Sequence, residues 1–270
     1  MRLALRLTLA AGFILGLAAP SFAQDHGASF TRRADKDVHF GFESPVGTYD
    51  RAALQRGYQV YKEVCSACHS LKRIAFRNLT DEGGPGFSTA QARALAAASQ
   101  IPAEPNAEGL THNDSGERLT RAGILADYFP APFPNENAAR TANGGALPPD
   151  LSLFVKTRRH GAHYVYSILT GYGEKPPGNF HLPEGKHFNP WFEGWSISMP
   201  APLSNNGVTF SDGTPATVEQ QAHDVVTFLS WAAEPKMEQR KRMGFSVLLF
   251  LAAFAAVLFF AYRKVWADAH

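Results

Sequence analysis

Cysteine is nearly missing from this 270-residue sequence: Cys65 and Cys68 are the only two. A structural zinc site needs about four ligands, commonly two Cys or His pairs, and this supply falls short of one. Charge is sparse as well, at 19% Asp, Glu, Lys and Arg, and the formal net charge is only +2. So small a surplus gives no footing for a nucleic-acid partner. Methionine is scarce at four residues, and no internal repeat is visible. What is abundant is apolar residues at 45%, with 23 glycines and 18 prolines. The chain can therefore fold round a core, with much of the fold in loops.

The two cysteines stand in Val64-Cys65-Ser66-Ala67-Cys68-His69-Ser70. Two thiols one helical turn apart can each add to a vinyl group of one porphyrin, and the next residue then lies beneath the iron. This spacing predicts one c-type haem, covalently bound through Cys65 and Cys68, with His69 as the proximal imidazole. A thioredoxin-like redox pair would open a helix after a strand in a βαβ unit; here the segment before Cys65 is patterned as a helix. A plain disulfide stays open, but it assigns His69 nothing. A haem also gives a loop-rich chain a large apolar surface to pack on.

The ends of the chain point to export and anchoring. Residues 1–23 read as a secretory signal, with Arg2 and Arg6 before an apolar run and Ser21-Phe22-Ala23 as the cleavage site. Residues 24–243 form the haem domain, residues 244–262 a transmembrane helix and residues 263–270 a short cytoplasmic tail. The 18-residue stretch 245–262 carries no charge, close to one bilayer span. Arg240, Lys241 and Arg242 precede it, and Arg263 and Lys264 follow it. Charge counting alone would put the N-terminal flank inside; an exported domain requires the reverse. The expectation is a single-pass protein of the bacterial inner membrane with its haem domain in the periplasm.

Along the chain, residues 24–48 lack a clear period and are expected to wrap the surface. Asp50 can cap a helix over residues 50–64, with Leu54, Tyr58, Tyr61 and Val64 on one face. Gly57, one turn before Tyr61, would let another helix cross closely. That helix is expected over residues 218–232, capped by Thr217 and stopped by Pro235. Residues 88–99 read as an Ala-rich helix, 101–117 as polar surface, and 164–170 as a short helix closed by Gly171. Asn206-Gly207 and Asp212-Gly213 flank residues 208–211, which suggests a small β-ribbon. The fold class is mainly α with long loops: a cytochrome c-like haem domain with a small β-ribbon, plus one C-terminal transmembrane helix.

For the far side of the iron, Met1 lies in the signal, and Met237 and Met243 lie at the membrane edge. Only Met199, in Ser196-Ile197-Ser198-Met199-Pro200, sits inside the domain, on a loop that proline stiffens. Core packing is the ordinary use of methionine. The rival ligands are His160, His163, His181 and His187.

Further stretches carry a resemblance: Asp127-Tyr128-Phe129-Pro130, Asn143-Gly144-Gly145-Ala146-Leu147-Pro148-Pro149-Asp150-Leu151-Ser152, Leu169-Thr170-Gly171-Tyr172-Gly173, Asp212-Gly213-Thr214-Pro215-Ala216-Thr217 and Trp231-Ala232-Ala233-Glu234-Pro235. With the haem motif they cover most of the mature chain, which resembles the cytochrome c1 family, the haem subunits of quinol–cytochrome c oxidoreductase (cytochrome bc1) complexes. The resemblance implies that Asn143, Pro148 and Pro149 line the haem, that Arg158 meets a propionate, and that Tyr164 and Phe192 pack in the pocket. Read from residues alone, Arg158 is a solvated charge and Phe192 is core. Pro200 directly after the methionine departs from the family, and no second cysteine pair exists to brace the Met199 loop.

The function implied is a membrane-anchored electron carrier within a dimeric complex. It would pass single electrons from the Rieske iron–sulfur protein to a cytochrome c, beside cytochrome b, binding no quinol itself. A peroxidase-like haem enzyme with an open sixth site is the alternative by chemistry, and the iron's spin state separates the two. A free membrane-anchored shuttle is the alternative by assembly, and co-purification with cytochrome b decides that one. Acidic residues such as Asp81, Glu82, Glu104, Glu108 and Asp114 can steer a basic partner, though a solvated face is their plainer reading.

Overall fold

Asp50 starts the first helix. Its side chain accepts from the Ala52 and Ala53 N–H groups, and α1 runs over Arg51–Glu63. These contacts come from a computed structural model that describes residues 30–267. The expected signal at 1–23 and the last three residues of the tail lie outside the described residues.

One face of α1 is buried: Ala53, Leu54, Gly57, Tyr58, Val60 and Tyr61. Its partner is a later helix, Val218–Ala233, whose first turn is closed by the Thr217 hydroxyl accepting from the Gln220 N–H at 3.1 Å. This crossing is the centre of the core, where Leu54, Val225, Phe228 and Trp231 are fully buried. It closes at Gly57, where an added Cβ would lie 2.0 Å from the Asp224 carbonyl oxygen. The crossing also contains charge. Asp224 is buried with Arg56, Nε to Oδ2 at 2.6 Å, and a second Arg56 nitrogen reaches Asp212 at 2.7 Å.

Between these two helices come α2 (Thr89–Ala97), α3 (Glu136–Ala142) and α4 (Gly161–Leu169); the Val218–Ala233 helix is α5 and the last, Met237–Val265, is α6. Helix α4 begins earlier than the expected residue 164. Gly161 permits this, since a Cβ there would meet the Val155 carbonyl oxygen at 1.7 Å. Helix α6 likewise begins before its apolar run, and it is long and apolar enough to cross a membrane.

Strands are few and short. β1 (Gln100–Pro102) pairs antiparallel with β2 (Thr120–Ala122) across the two ends of the stretch 101–117 expected to be polar surface, and Ile101 is buried there. β3 (His187–Phe188) pairs with β4 (Ser196–Ile197). The ribbon expected at residues 208–211 is not formed. Asn206 and Gly213 do turn the chain, at φ 58° and 76°. The segment is held by α1 instead, with Gln59 donating to the Thr209 carbonyl and Val208 and Phe210 buried in the core. The expectation that residues before 48 only wrap the surface is also too weak, because Phe40 and Phe42 are buried.

Candidate haem-attachment site

The end of α1 builds the cysteine motif. Val64 closes the helix by donating its N–H to the Val60 carbonyl, and the chain tightens into a 3-10 turn over Cys65–Ala67. The N–H groups of Cys68 and His69 both donate to the Cys65 carbonyl, at 3.1 and 2.9 Å. Cys65 is half-buried and Cys68 exposed. Burial pushes the Cys65 thiol up to about 12, so it rests protonated.

His69 is oriented by a single bond. Its Nδ1 lies 2.9 Å from the Pro149 carbonyl oxygen. A carbonyl can only accept, so Nδ1 carries the hydrogen and Nε2 keeps its lone pair. Burial lowers the pKa of His69 despite this bond and the nearby Asp150 carboxylate, which favours the neutral, ligating form.

Pro149 is itself held in register. The Leu151 N–H donates to the Ser70 carbonyl at 2.9 Å. Asp150 accepts from the Ser70 hydroxyl, the Lys72 N–H and the Ser152 N–H at 2.8 to 3.0 Å. Burial works to raise the Asp150 pKa, but these hydrogen bonds outweigh it and hold the carboxyl below its ordinary range. The Ser152 hydroxyl, fully buried, accepts from the Arg73 N–H. Residues 149–152 and 69–73 are thus one clamp. Sequence reasoning assigned Asp150 no role. Its signal was present: an Asp after a Pro-Pro pair commonly accepts from the backbone N–H two residues on, as Asp150 does from Ser152.

The other expected site residues divide. Pro148 is half-buried and Pro149 exposed beside His69. Asn143 ends α3, its side chain donating to the Ala139 carbonyl at 2.7 Å. Gly144 follows in the left-handed region, and the Gly145 N–H reaches back to the Arg140 carbonyl, a Schellman-type cap. No hydrogen bond among the described residues joins Asn143 to the cysteine motif, so its visible work is capping. Tyr164 is buried on α4, with the exposed Arg158 guanidinium 4.0 Å over its ring. Arg158 has no ion-pair partner among the described residues. Phe192 and Met199 are half-buried against the core, and the Met199 carbonyl accepts from the Tyr172 hydroxyl at 2.9 Å.

The rival histidines are occupied or exposed. His163 has both ring nitrogens engaged, Nδ1 with the Lys36 carbonyl at 3.2 Å and Nε2 with Glu43 at 2.9 Å. His160, His181 and His187 are exposed. The donor set fits a c-type haem: two thiols a turn apart, an imidazole with Nε2 free, and a half-buried thioether on a separate loop.

The family model described as the Cytochrome C1 family matches residues 40–269. A protein of Bradyrhizobium diazoefficiens named cytochrome b/c1 is 49% identical over 86% of this chain, which spans only 35% of that relative's length. Cytochrome c1 of Rhodospirillum rubrum is 41% identical, with 97% of each chain covered. The mitochondrial cytochrome c1 haem protein of Saccharomyces cerevisiae is 42% identical over 93% of this chain and 73% of its own. A motif at the end of α1, the clamp that orients its histidine and these matches agree: the chain belongs to the cytochrome c1 family.

Proposed function

We propose that this chain is the membrane-anchored c-type cytochrome of a bc1 complex, carrying one haem covalently bound through Cys65 and Cys68. It takes single electrons from the Rieske iron–sulfur protein and passes them to a cytochrome c, while quinol chemistry belongs to the partner cytochrome b. The haem domain faces the periplasm, α6 crosses the inner membrane once, and the assembly is a dimer. The observation that carries the reading is the His69 Nδ1 bond to the Pro149 carbonyl, which leaves Nε2 as the only ring atom able to bind iron.

When bound, the haem supplies a one-electron couple whose potential the axial ligands set. The chain's own residues do the rest. The Asp150 clamp fixes the His69 ring, so the imidazole need not reorganise as charge changes. Met199 would hold the iron through its thioether, and a neutral, soft sulfur favours the ferrous state. Arg158, exposed and with no carboxylate partner among the described residues, is placed to meet a propionate. Tyr164 beneath it holds the guanidinium in place by cation–π contact. Phe192, Pro148, Pro149 and Asn143 would line the pocket, and with His69 and Met199 both holding the iron no position would be left for peroxidase chemistry.

The test is direct. Acid–acetone treatment of the purified protein should leave the haem on the polypeptide, and cytochrome b should co-purify with it in mild detergent. Cys65→Ser or Cys68→Ser should each lose one thioether, and the double variant should release the haem. A colourless chain after extraction of the wild type overturns the attachment; a haem-loaded chain that never brings down cytochrome b overturns the complex.

A further inference from the structure

The loop that carries Met199 has no disulfide to hold it, since Cys65 and Cys68 are the only cysteines. We propose that the N-terminal strap, residues 30–36, is the brace for this loop, and that Trp191 and Trp195 are the positioning residues through which it acts. The proposal rests on Met199 being the sixth ligand, as read above.

The 187–197 hairpin leads straight into Met199, and its own pairing is slight. β3 and β4 match only His187 with Ile197 and Phe188 with Ser196, and two strands of that length are not stable alone. Its tip closes on itself: Asn189 and Trp195 bond through their backbones, as do Phe192 and Asn189. Within it, Gly194 and Trp195 take φ 69° and 59°. For a bulky aromatic this is an uncommon conformation, which persists where surrounding contacts over-determine it.

Those contacts come from the strap. The Trp195 indole N–H donates to the Thr31 carbonyl at 2.8 Å, and the Trp191 indole N–H to the Ala34 carbonyl at 3.1 Å. The Arg33 N–H returns a bond to the Pro190 carbonyl at 2.8 Å. Phe30 packs on Trp195 with ring centroids 4.9 Å apart, and the Lys36 ammonium lies 4.4 Å over the Trp191 ring. The strap's other end is fixed to the fold: the Lys36 N–H donates to the Ser167 hydroxyl and its ammonium to the Thr170 carbonyl, on and just after α4. It therefore ties the hairpin tip to α4, which carries Tyr164. The Asn189 side chain adds one direct bond from the hairpin to the Ile168 carbonyl on α4, and among the described residues only the Tyr172 hydroxyl on the Met199 carbonyl and Lys186 on the Ser198 hydroxyl hold residues 198–200 by hydrogen bonds. An axial sulfur on a loose loop yields to outside ligands, so the brace keeps the sixth position closed.

The test uses the full chain, haem-loaded, in its membrane. Trp191→Phe with Trp195→Phe removes both indole donors and keeps the rings, and Phe30→Ala loosens the strap from outside the loop. The expected result is a rise of about tenfold or more in the fraction of ferrous haem that binds carbon monoxide. The far-red sulfur-to-iron band should weaken and the midpoint potential fall, with haem content unchanged. If the double variant and Phe30→Ala both keep the wild-type band, potential and carbon monoxide exclusion, the brace is overturned. Met199→Leu run alongside separates the two ideas: a band that survives there overturns the ligation itself.

Discussion

Replacing Gly57 with alanine adds one methyl group at the point where α1 and α5 touch. The added Cβ would lie 2.0 Å from the Asp224 carbonyl oxygen, 2.6 Å from its carbonyl carbon and 2.7 Å from the Phe228 Cβ. Comfortable contact needs about 3.5 Å, so the helices must part by more than an ångström. Backbone cannot rotate away as a side chain can. Parting loosens Leu54, Phe228 and Trp231, all fully buried, and a gap of that size forfeits about half or more of each contact's attraction. Overpacking of this kind costs about 3 kcal/mol or more, while alanine recovers about 1 kcal/mol of helix propensity. The net loss should be about 2–3 kcal/mol, or roughly 4–12 °C in Tm for a domain of this size. Thermal unfolding of the full chain in detergent, followed by near-ultraviolet circular dichroism, reads it. An unchanged or raised Tm would show that helix propensity wins and that the close crossing is not the hinge of the core. The matter bears on function because Cys65 lies eight residues beyond Gly57, in the turn that directly follows the end of the same helix.

Asp224→Asn should cost about 3 kcal/mol, because it leaves the Arg56 guanidinium beside a neutral, fully buried amide. The urea midpoint should fall at unchanged slope, and a midpoint that does not move would mean Asp212 alone satisfies Arg56. The second test concerns pH. Burial of His163 opposes its protonation, but Glu43 and the Lys36 carbonyl outweigh it and hold its pKa above the ordinary value. A raised folded pKa gives stability that is full below the unfolded value, about 6.5, and is lost as pH rises through the folded one. Protection of the strap from trypsin at Arg32 and Arg33 should therefore weaken between about pH 6 and pH 8. His163→Gln should flatten that dependence, and a wild type equally protected at both ends of the range refutes the assignment.

What the sequence made legible was local. Asp50 and Thr217 cap helices because a side-chain oxygen three residues from an N–H decides the matter without distant help. Gly57 was readable as a crossing point because nothing else explains a glycine on a buried helical face. The cysteine motif could be read because its chemistry lies within five residues. The failures are non-local. The turns at Asn206 and Gly213 were recognised, but whether residues 208–211 pair as strands depended on Gln59, some 150 residues away. Trp195 and Thr31 are 164 positions apart, and no period in either stretch announces the other. Asn143 has a local role the residues alone did not announce, a side-chain bond that caps its own helix, and its place beside the haem rests on the resemblance.

Three consecutive basic residues before the span raised the one conflict in the sequence, since free charges there argue for retention inside. In the fold Arg240 and Lys241 have partners, and Arg242 remains mostly exposed. Arg240 binds Glu234 at 2.5 Å, which also takes Lys156 at 2.7 Å. The Lys241 ammonium donates to the carbonyls of Phe42, Ser44 and Gly47. Burial first, then the neighbouring Arg240, lowers its pKa. Arg242 lies 3.6 Å from Glu82. One turn earlier, Glu238 accepts from the Tyr49 N–H and from Arg51, both at 2.9 Å. Lys241 and Glu238 are thus the footing of α6 on the preceding domain, and Lys241 is spent on that domain rather than offered to a lipid surface, while Arg240 and Arg242 stay largely exposed. This supports the proposed orientation. It also bears on electron transfer: a flexible linker would let the domain swing over the bilayer, whereas tilting it on this footing breaks the bonds of Glu238 and Lys241 together.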